Sequence, residues 1–134
     1  MRNTDDLGKF ILRATLAILI LFHGISKMIS GPGFVVGLVS SAGLPPQVAY
    51  LVYIGEVLAP LIILFGVWTR VGALIVVINM LFAFALVHSK QILTLSDTGG
   101  WGLELQGFYL FSAVAVLLLG AGRLSIGGTA GRWN

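Results

Sequence analysis

The chain has no cysteine and few charged residues. Its 134 residues include 8 Lys or Arg and 5 Asp or Glu, so charged side chains make up 10% of the total. Without cysteine the chain can form no disulfide, no thiolate metal site and no thiol redox centre. A charged fraction this low is also far below the ~25% that is typical of soluble domains.

Apolar residues take the place of the missing charge. They make up 57% of the chain, and the mean hydropathy is +1.01. Four apolar segments stand out, at about residues 10–27, 47–68, 71–88 and 103–122. Each is close to the ~20 residues that a helix needs to cross a bilayer, and an open sheet edge cannot face lipid. The sequence therefore predicts an all-α, four-transmembrane-helix bundle that forms a single domain over residues 1–134.

The first segment also has the basic residues that precede the apolar core of a signal peptide. After its core, however, comes HGISKMIS rather than a small-residue cleavage site. His23 and Lys27 have no place in the apolar region of a signal peptide, so we interpret the segment as a retained helix.

Basic residues in the connections predict the orientation. Six lie at the two ends of the chain or in the second connection: Arg2, Lys9, Arg13, Arg70, Arg123 and Arg132. Only Lys27 and Lys90 lie on the other side. The positive-inside rule then makes both termini cytoplasmic. Anionic lipid headgroups would attract these cations, so the net charge of +3 calls for a membrane lipid partner and not for nucleic acid.

The first outer connection, GPGFVVGLVSSAGLPPQ, has turn residues at both ends and apolar residues between them. This pattern predicts a short interfacial helix, which either lies at the outer interface or covers the bundle. An ordered loop is the alternative.

Glu56 is the most unusual residue of the second segment. At ~1.5 Å of rise per residue it lies roughly 13 Å into the membrane, near the midplane. An unpaired charge there costs several kcal/mol, so Glu56 must face the interior and either hold a proton or pair with a cation, for which Lys27 and His23 are the candidates. Pro60 removes the helical hydrogen bond to the Glu56 carbonyl and predicts a helix kink beside the acid.

Four of the predicted helices bring ionisable residues to the outer half of the bundle. These candidate ligand or proton-pocket residues are His23, Lys27, Glu56, His88 and Glu104. A network that only holds the helices together is the alternative. Arg13 is expected to snorkel to the cytoplasmic headgroups. Asn79 is expected to make a separate interhelical contact, because nine residues place it about half a turn from His88.

Several motifs along the chain resemble the DoxX family of small four-helix membrane proteins. They are HGISK, GLPP, the Glu56 helix followed by GVWTR, the histidine closing the third segment, GGWGLEL and GAGRLSI. The ending GTAGRWN departs from the Asp-containing tail of many members. The resemblance implies a bacterial inner-membrane protein, and it implies that the five pocket candidates and Arg123 match recurrent polar positions of the family.

Three function classes follow. The first is a redox-associated subunit that would partner redox-complex proteins and whose pocket would hold a quinone-like molecule. The second is a haem-binding bundle with His23 and His88 as the two iron ligands. The third is a non-catalytic scaffold or assembly partner. No other metal site is predicted, and the small-residue helix faces make a homodimer plausible.

Overall fold

The computed structural model describes residues 2–86, 94–95 and 97–134, with side chains from residue 4 onward. His88 and Lys90 lie outside the described residues. Within these residues the chain is all-α and has five helices and no strand; Leu95 and Trp101 form an isolated β-bridge. The predicted all-α class is therefore confirmed.

The first two helices lie on either side of a glycine and a proline. Helix α1 runs over Arg2–Ser30, so it is longer at both ends than the predicted segment, and it begins in a polar stretch with Asp5 in its first turn. An acidic residue there is favourable at a helix N-terminus. Gly31, at φ 85°, and Pro32 follow the helix and prevent its continuation. Helix α2, Gly33–Ser41, is the short helix predicted in the first connection.

Helix α3, Pro46–Phe65, changes type along its length. It starts as a 3-10 helix over Pro46–Tyr50, contains a π-helical turn over Ile54–Leu58 and continues as an α-helix over Ala59–Phe65. The π-helical turn includes Glu56 and ends two residues before Pro60. The predicted interruption near Pro60 thus coincides with a local change in helix type. The helix ends at Phe65, three residues before the predicted boundary, and Gly66 follows it at φ 72°.

Two further helices complete the fold. Helix α4 is described over Thr69–Leu86, and helix α5 spans Glu104–Leu119. Gly120, at φ 79°, ends α5 earlier than the sequence predicted. Its 16 residues extend about 24 Å. Among the described residues, three helical stretches are long and apolar enough to cross a membrane: Thr4–Ser30, Pro46–Phe65 and Thr69–Leu86.

The core is built from small and branched side chains of four helices. Its buried members are Leu16, Ala17 and Ile20 of α1, Ala59 and Ile63 of α3, Ala73, Val76 and Met80 of α4, and Tyr109, Ala113 and Val116 of α5. Many larger apolar side chains remain exposed on the outer surface, as in Phe108 at 71% and Leu118 at 70%. A protein that turns such residues outward on long apolar helices is suited to lipid rather than water.

The last fifteen residues fold back over one end of the helices, which we call the tail end. There Ile126 and Gly127 donate backbone hydrogen bonds to the carbonyls of Phe65 and Gly66 at the end of α3. The Asn134 side chain accepts hydrogen bonds from the backbone N–H and the hydroxyl of Thr69, at 3.1 and 2.9 Å. Residues 120–134 thereby join the ends of α3 and α4.

Arg13 lies inside this tail end and does not snorkel, so that expectation was wrong. The residue is 1% exposed, and its guanidinium donates to the carbonyls of Ile63, Leu64, Ala121 and Leu124. Carbonyls at a helix C-terminus and in an irregular turn lack regular helical donors, and a planar guanidinium with five N–H groups can bond to several at once. These acceptors draw the side chain inward, away from the headgroups.

Candidate functional site

A cavity of about 550 Å³ lies at the opposite end of the molecule from the tail. All five helices contribute to its wall, and most of the lining side chains are aliphatic or aromatic. Its polar residues are His23, Lys27, Glu56, Asn79, Gln106 and Tyr109. Helix α2 contributes Phe34, Val35, Leu38 and Val39, so the helix predicted in the first connection forms part of the cavity wall.

An ion pair between α1 and α3 forms the most polar part of this cavity. Lys27 Nζ is 2.7 Å from Glu56 Oε1 and 2.6 Å from Glu56 Oε2, so the ammonium contacts both carboxylate oxygens. The Glu56 side chain is 7% exposed, whereas that of Lys27 is 33% exposed. The acid is therefore buried behind its partner, and the amine reaches the cavity surface. Of the two cationic partners expected from the sequence, Lys27 is the one that pairs with Glu56.

Two glycines allow the backbones around Glu56 to approach closely. A methyl group at Gly24 of α1 would overlap the carbonyl oxygen of Glu56, and one at Gly55 would come within 2.6 Å of the Asn79 side chain. Glycine at these two positions lets α1 reach the π-helical turn from one side and α4 reach it from the other. The ion pair is thus positioned by close helix contacts at the level of Glu56.

Asn79 belongs to the cavity, so placing it in a separate interhelical contact was wrong. Its Nδ2 lies 3.5 Å from Glu56 Oε1, at the long limit of a hydrogen bond. The expectation relied on the direction of His88, which lies outside the described residues. The contact across Gly55 instead turns Asn79 toward Glu56.

Tyr109 is a cavity residue that the sequence analysis missed. The residue is 6% exposed and lines the cavity. Its ring packs edge-on against the His23 imidazole, with centroids 5.9 Å apart and an interplanar angle of 79°. Tyr109 and Gln106 are three residues apart and share one face of α5. That spacing was the available signal for both residues.

The remaining site residues predicted from the sequence are His23, Glu104 and His88. His23 lines the cavity and contacts Tyr109 rather than Glu56. Glu104 is exposed in the first turn of α5 beside Gly100, and it is not one of the described cavity-lining residues. His88 lies outside the described residues, so its predicted role stays a prediction. The described residues contain no group of three or more His, Cys, Asp or Glu side chains arranged to hold a metal ion.

The charges and lining of the cavity favour a neutral, largely apolar ligand. Lys27 and Glu56 cancel each other's formal charge, and the volume lies within the ~300–1,000 Å³ range of small-molecule pockets. Two of the three ammonium N–H groups of Lys27 are directed to Glu56, which leaves one for another acceptor. The Tyr109 hydroxyl, the His23 imidazole and the second Asn79 N–H offer further polar contacts.

Comparison with known proteins places this chain in a family. The family model described as DoxX matches residues 8–89, which include most of α1, all of α2 and α3, and all described residues of α4. The chain belongs to the DoxX family. This DoxX protein, with its long apolar helices, is a membrane protein.

One curated relative extends the similarity over almost the whole chain. This DoxX protein is 25% identical over 126 residues to the protein named "Putative oxidoreductase CatD" of Bacillus subtilis (strain 168). The aligned region covers 94% of this chain and 89% of the relative. No solved structure matches this DoxX protein.

Proposed function

We propose that this DoxX protein is a subunit of a membrane oxidoreductase system that binds a quinone-like, lipid-soluble molecule in its cavity. The observation that carries the proposal is the Lys27–Glu56 ion pair, in which a buried carboxylate holds a partly exposed ammonium at the surface of a largely apolar cavity. The name of the Bacillus subtilis relative supports an oxidoreductase role. The accompanying topology has four membrane spans, with both termini on the cytoplasmic side of a bacterial inner membrane.

The residues around the cavity fit such a ligand. A quinone headgroup is neutral, planar and apolar apart from its carbonyl oxygens, so it needs an apolar enclosure and a few hydrogen-bond donors. The aliphatic wall supplies the enclosure, and Lys27 and Tyr109 supply donors. When bound, a quinone would contribute electron-accepting chemistry. Lys27 would stabilise negative charge on a ligand oxygen, and Glu56 would hold the ammonium in place.

Equilibrium binding of decylubiquinone to the protein in nanodiscs tests this proposal. We expect Glu56→Gln to weaken binding at least about tenfold, because the amide no longer matches the Lys27 ammonium and leaves that charge unpaired. Asp5→Asn, in the exposed first turn of α1, removes a carboxylate far from the cavity and should leave binding unchanged.

A second variant keeps the test valid if Glu56→Gln folds poorly. Tyr109→Phe retains the ring that packs on His23 and removes only the hydroxyl, so the fold should persist. We expect binding to fall about threefold to tenfold, the range for one lost hydrogen bond. Failure of the wild-type protein to bind decylubiquinone would contradict the quinone proposal.

A scaffold role is the second candidate, and the completeness of the ion pair favours it. Both Glu56 oxygens accept from Lys27, as in a contact that serves only to join α1 to α3. In that case Glu56→Gln would lower the unfolding midpoint, while the wild-type protein would bind no decylubiquinone and would instead co-purify with a stoichiometric protein partner. The haem alternative needs His88 and stays a prediction.

A further inference from the structure

The cavity wall on α4 continues onto the outer surface of the protein. Ile75, Asn79, Phe82 and Leu86 line the cavity at spacings of three and four residues, so they form one stripe of the helix. Ile78 also lines the cavity. Ile78 and Phe82 are 46% and 50% exposed, and they lie on the side of this stripe that turns away from the buried core residues. Their neighbours Leu74 and Leu81 are exposed too, but they do not line the cavity.

Helix α3 also carries side chains that both line the cavity and are exposed on the outer surface. Leu51 and Ile54 line the cavity and are 57% and 41% exposed. One turn further along, Leu58 continues this exposed stripe outside the cavity, with 52% exposure. The outward-facing stripes of α3 and α4 therefore border the cavity from opposite sides.

The two helices come together at the polar level of the cavity. There Gly55 of α3 abuts the Asn79 side chain of α4, so closely that an added methyl group would overlap it. The part of α3 before the π-helical turn instead packs against α1 and α2. Tyr53 donates its hydroxyl to the Lys27 carbonyl at 3.3 Å, which ties this part of α3 to α1. The helices thus meet beside Glu56 and leave an apolar gap beyond it.

We infer that the gap between α3 and α4, bordered by Leu51, Ile54, Ile78 and Phe82, is a lateral portal through which a lipid-soluble ligand enters from the bilayer. The inference rests on the proposed function and extends it, because it specifies the source of the ligand and the position of its apolar tail. The cavity carries no net formal charge from Lys27 and Glu56, and the gap is lined by apolar side chains. A ligand tail can remain among lipid chains while the polar headgroup reaches Lys27.

Three alanines on α4 allow a matched chemical test, because the wild-type chain contains no cysteine. Ala83 lines the cavity, Ala85 is exposed on the outer surface and Ala73 is 0% exposed in the core. Each is replaced by cysteine in the full chain, reconstituted into lipid vesicles and treated with N-hexadecylmaleimide, which partitions into the bilayer. A charged methanethiosulfonate that stays in water is used in parallel.

We expect N-hexadecylmaleimide to label Ala83→Cys within about tenfold of the rate for Ala85→Cys, and to leave Ala73→Cys unlabelled. Lack of labelling at Ala83→Cys would overturn the portal, as would labelling by the aqueous reagent alone. Decylubiquinone should slow the labelling of Ala83→Cys but not that of Ala85→Cys. If Ala83→Cys is labelled but decylubiquinone does not slow the labelling, the portal stands and the quinone proposal fails. If the lipid reagent does not label Ala83→Cys at all, the portal itself fails. The two failures therefore give different results.

Discussion

At the scale of single residues, a carboxylate buried in a membrane helix needs a cationic partner, because an unpaired charge there costs several kcal/mol. Glu56 and Lys27 follow from the cost of an unpaired carboxylate in a membrane helix, and their contact is present in the structure. Asn79 and Tyr109 could not be assigned in the same way, because neutral side chains carry no comparable penalty. Their inclusion depends on how α4 and α5 are rotated, which the apolar composition of these helices leaves undetermined.

Arg13, at the tail end, is another residue whose surroundings could not be predicted. A cation one turn into a membrane helix normally reaches the headgroups, and no sequence pattern indicates that four carbonyls from distant segments surround it. These acceptors come from α3 and from residues after α5, so they become visible only when the tail folds back.

Removal of the Arg13 side chain should therefore destabilise the protein. We expect Arg13→Ala to lower the free energy of unfolding by about 2–4 kcal/mol, because buried carbonyls lose their donors. Arg132→Ala is the control, since Arg132 is exposed and its guanidinium stacks on Trp133 in the same tail. The measurement is the unfolding midpoint of both variants in the same detergent. Equal midpoints for Arg13→Ala and the wild type would show that the hydrogen bonds of Arg13 contribute nothing to stability.

At the scale of secondary-structure elements, the positions and order of the apolar helices followed from the apolar segments, whereas the length of α5 and the irregularities of the helices did not. Glycines with positive φ set the ends of α3 and α5, at Gly66 and Gly120. The change to a π-helical turn at Ile54–Leu58 could be anticipated only as a disturbance near Pro60. Such turns are frequent at functional sites, which agrees with the position of Glu56 inside this one.

The contact between α1 and the π-helical turn can be tested with two glycines of the same helix. Gly24→Ala places a methyl group on the Glu56 carbonyl oxygen, so α1 and α3 must separate. We expect a loss of about 1–3 kcal/mol in the free energy of unfolding, together with weaker decylubiquinone binding. Gly8→Ala has open space around the added methyl, and it should be neutral or stabilising because alanine favours a helix. Equal effects of the two substitutions in thermal unfolding would contradict the proposed close contact.

At the scale of the whole molecule, charge is distributed unevenly between the two ends. The structure brings Arg13, Arg70 and Arg123 to the tail end, where Arg70 donates to the Leu117 and Leu118 carbonyls. Lys27 lies at the cavity end. This asymmetry supports the proposed orientation, in which the tail end faces the cytoplasm and the cavity lies toward the outer side.

Single cysteines test that orientation directly. We expect a membrane-impermeant maleimide to label Ser40→Cys from outside intact cells, because Ser40 is exposed and α2 belongs to the cavity end. Thr129→Cys, exposed in the tail, should be labelled only in inverted vesicles. The reverse pattern would show that the protein is inserted the other way.

The central claim is that the Lys27–Glu56 cavity holds a lipid-soluble redox molecule, and native mass spectrometry of the gently solubilised protein tests it most directly. The protein is taken from its own membrane, and the molecules released on activation are identified for the wild type, Tyr109→Phe and Asp5→Asn. We predict a quinone released from the wild type and Asp5→Asn and reduced or absent in Tyr109→Phe. Release of no small molecule from the wild type, with a stoichiometric protein partner in its place, would contradict the claim.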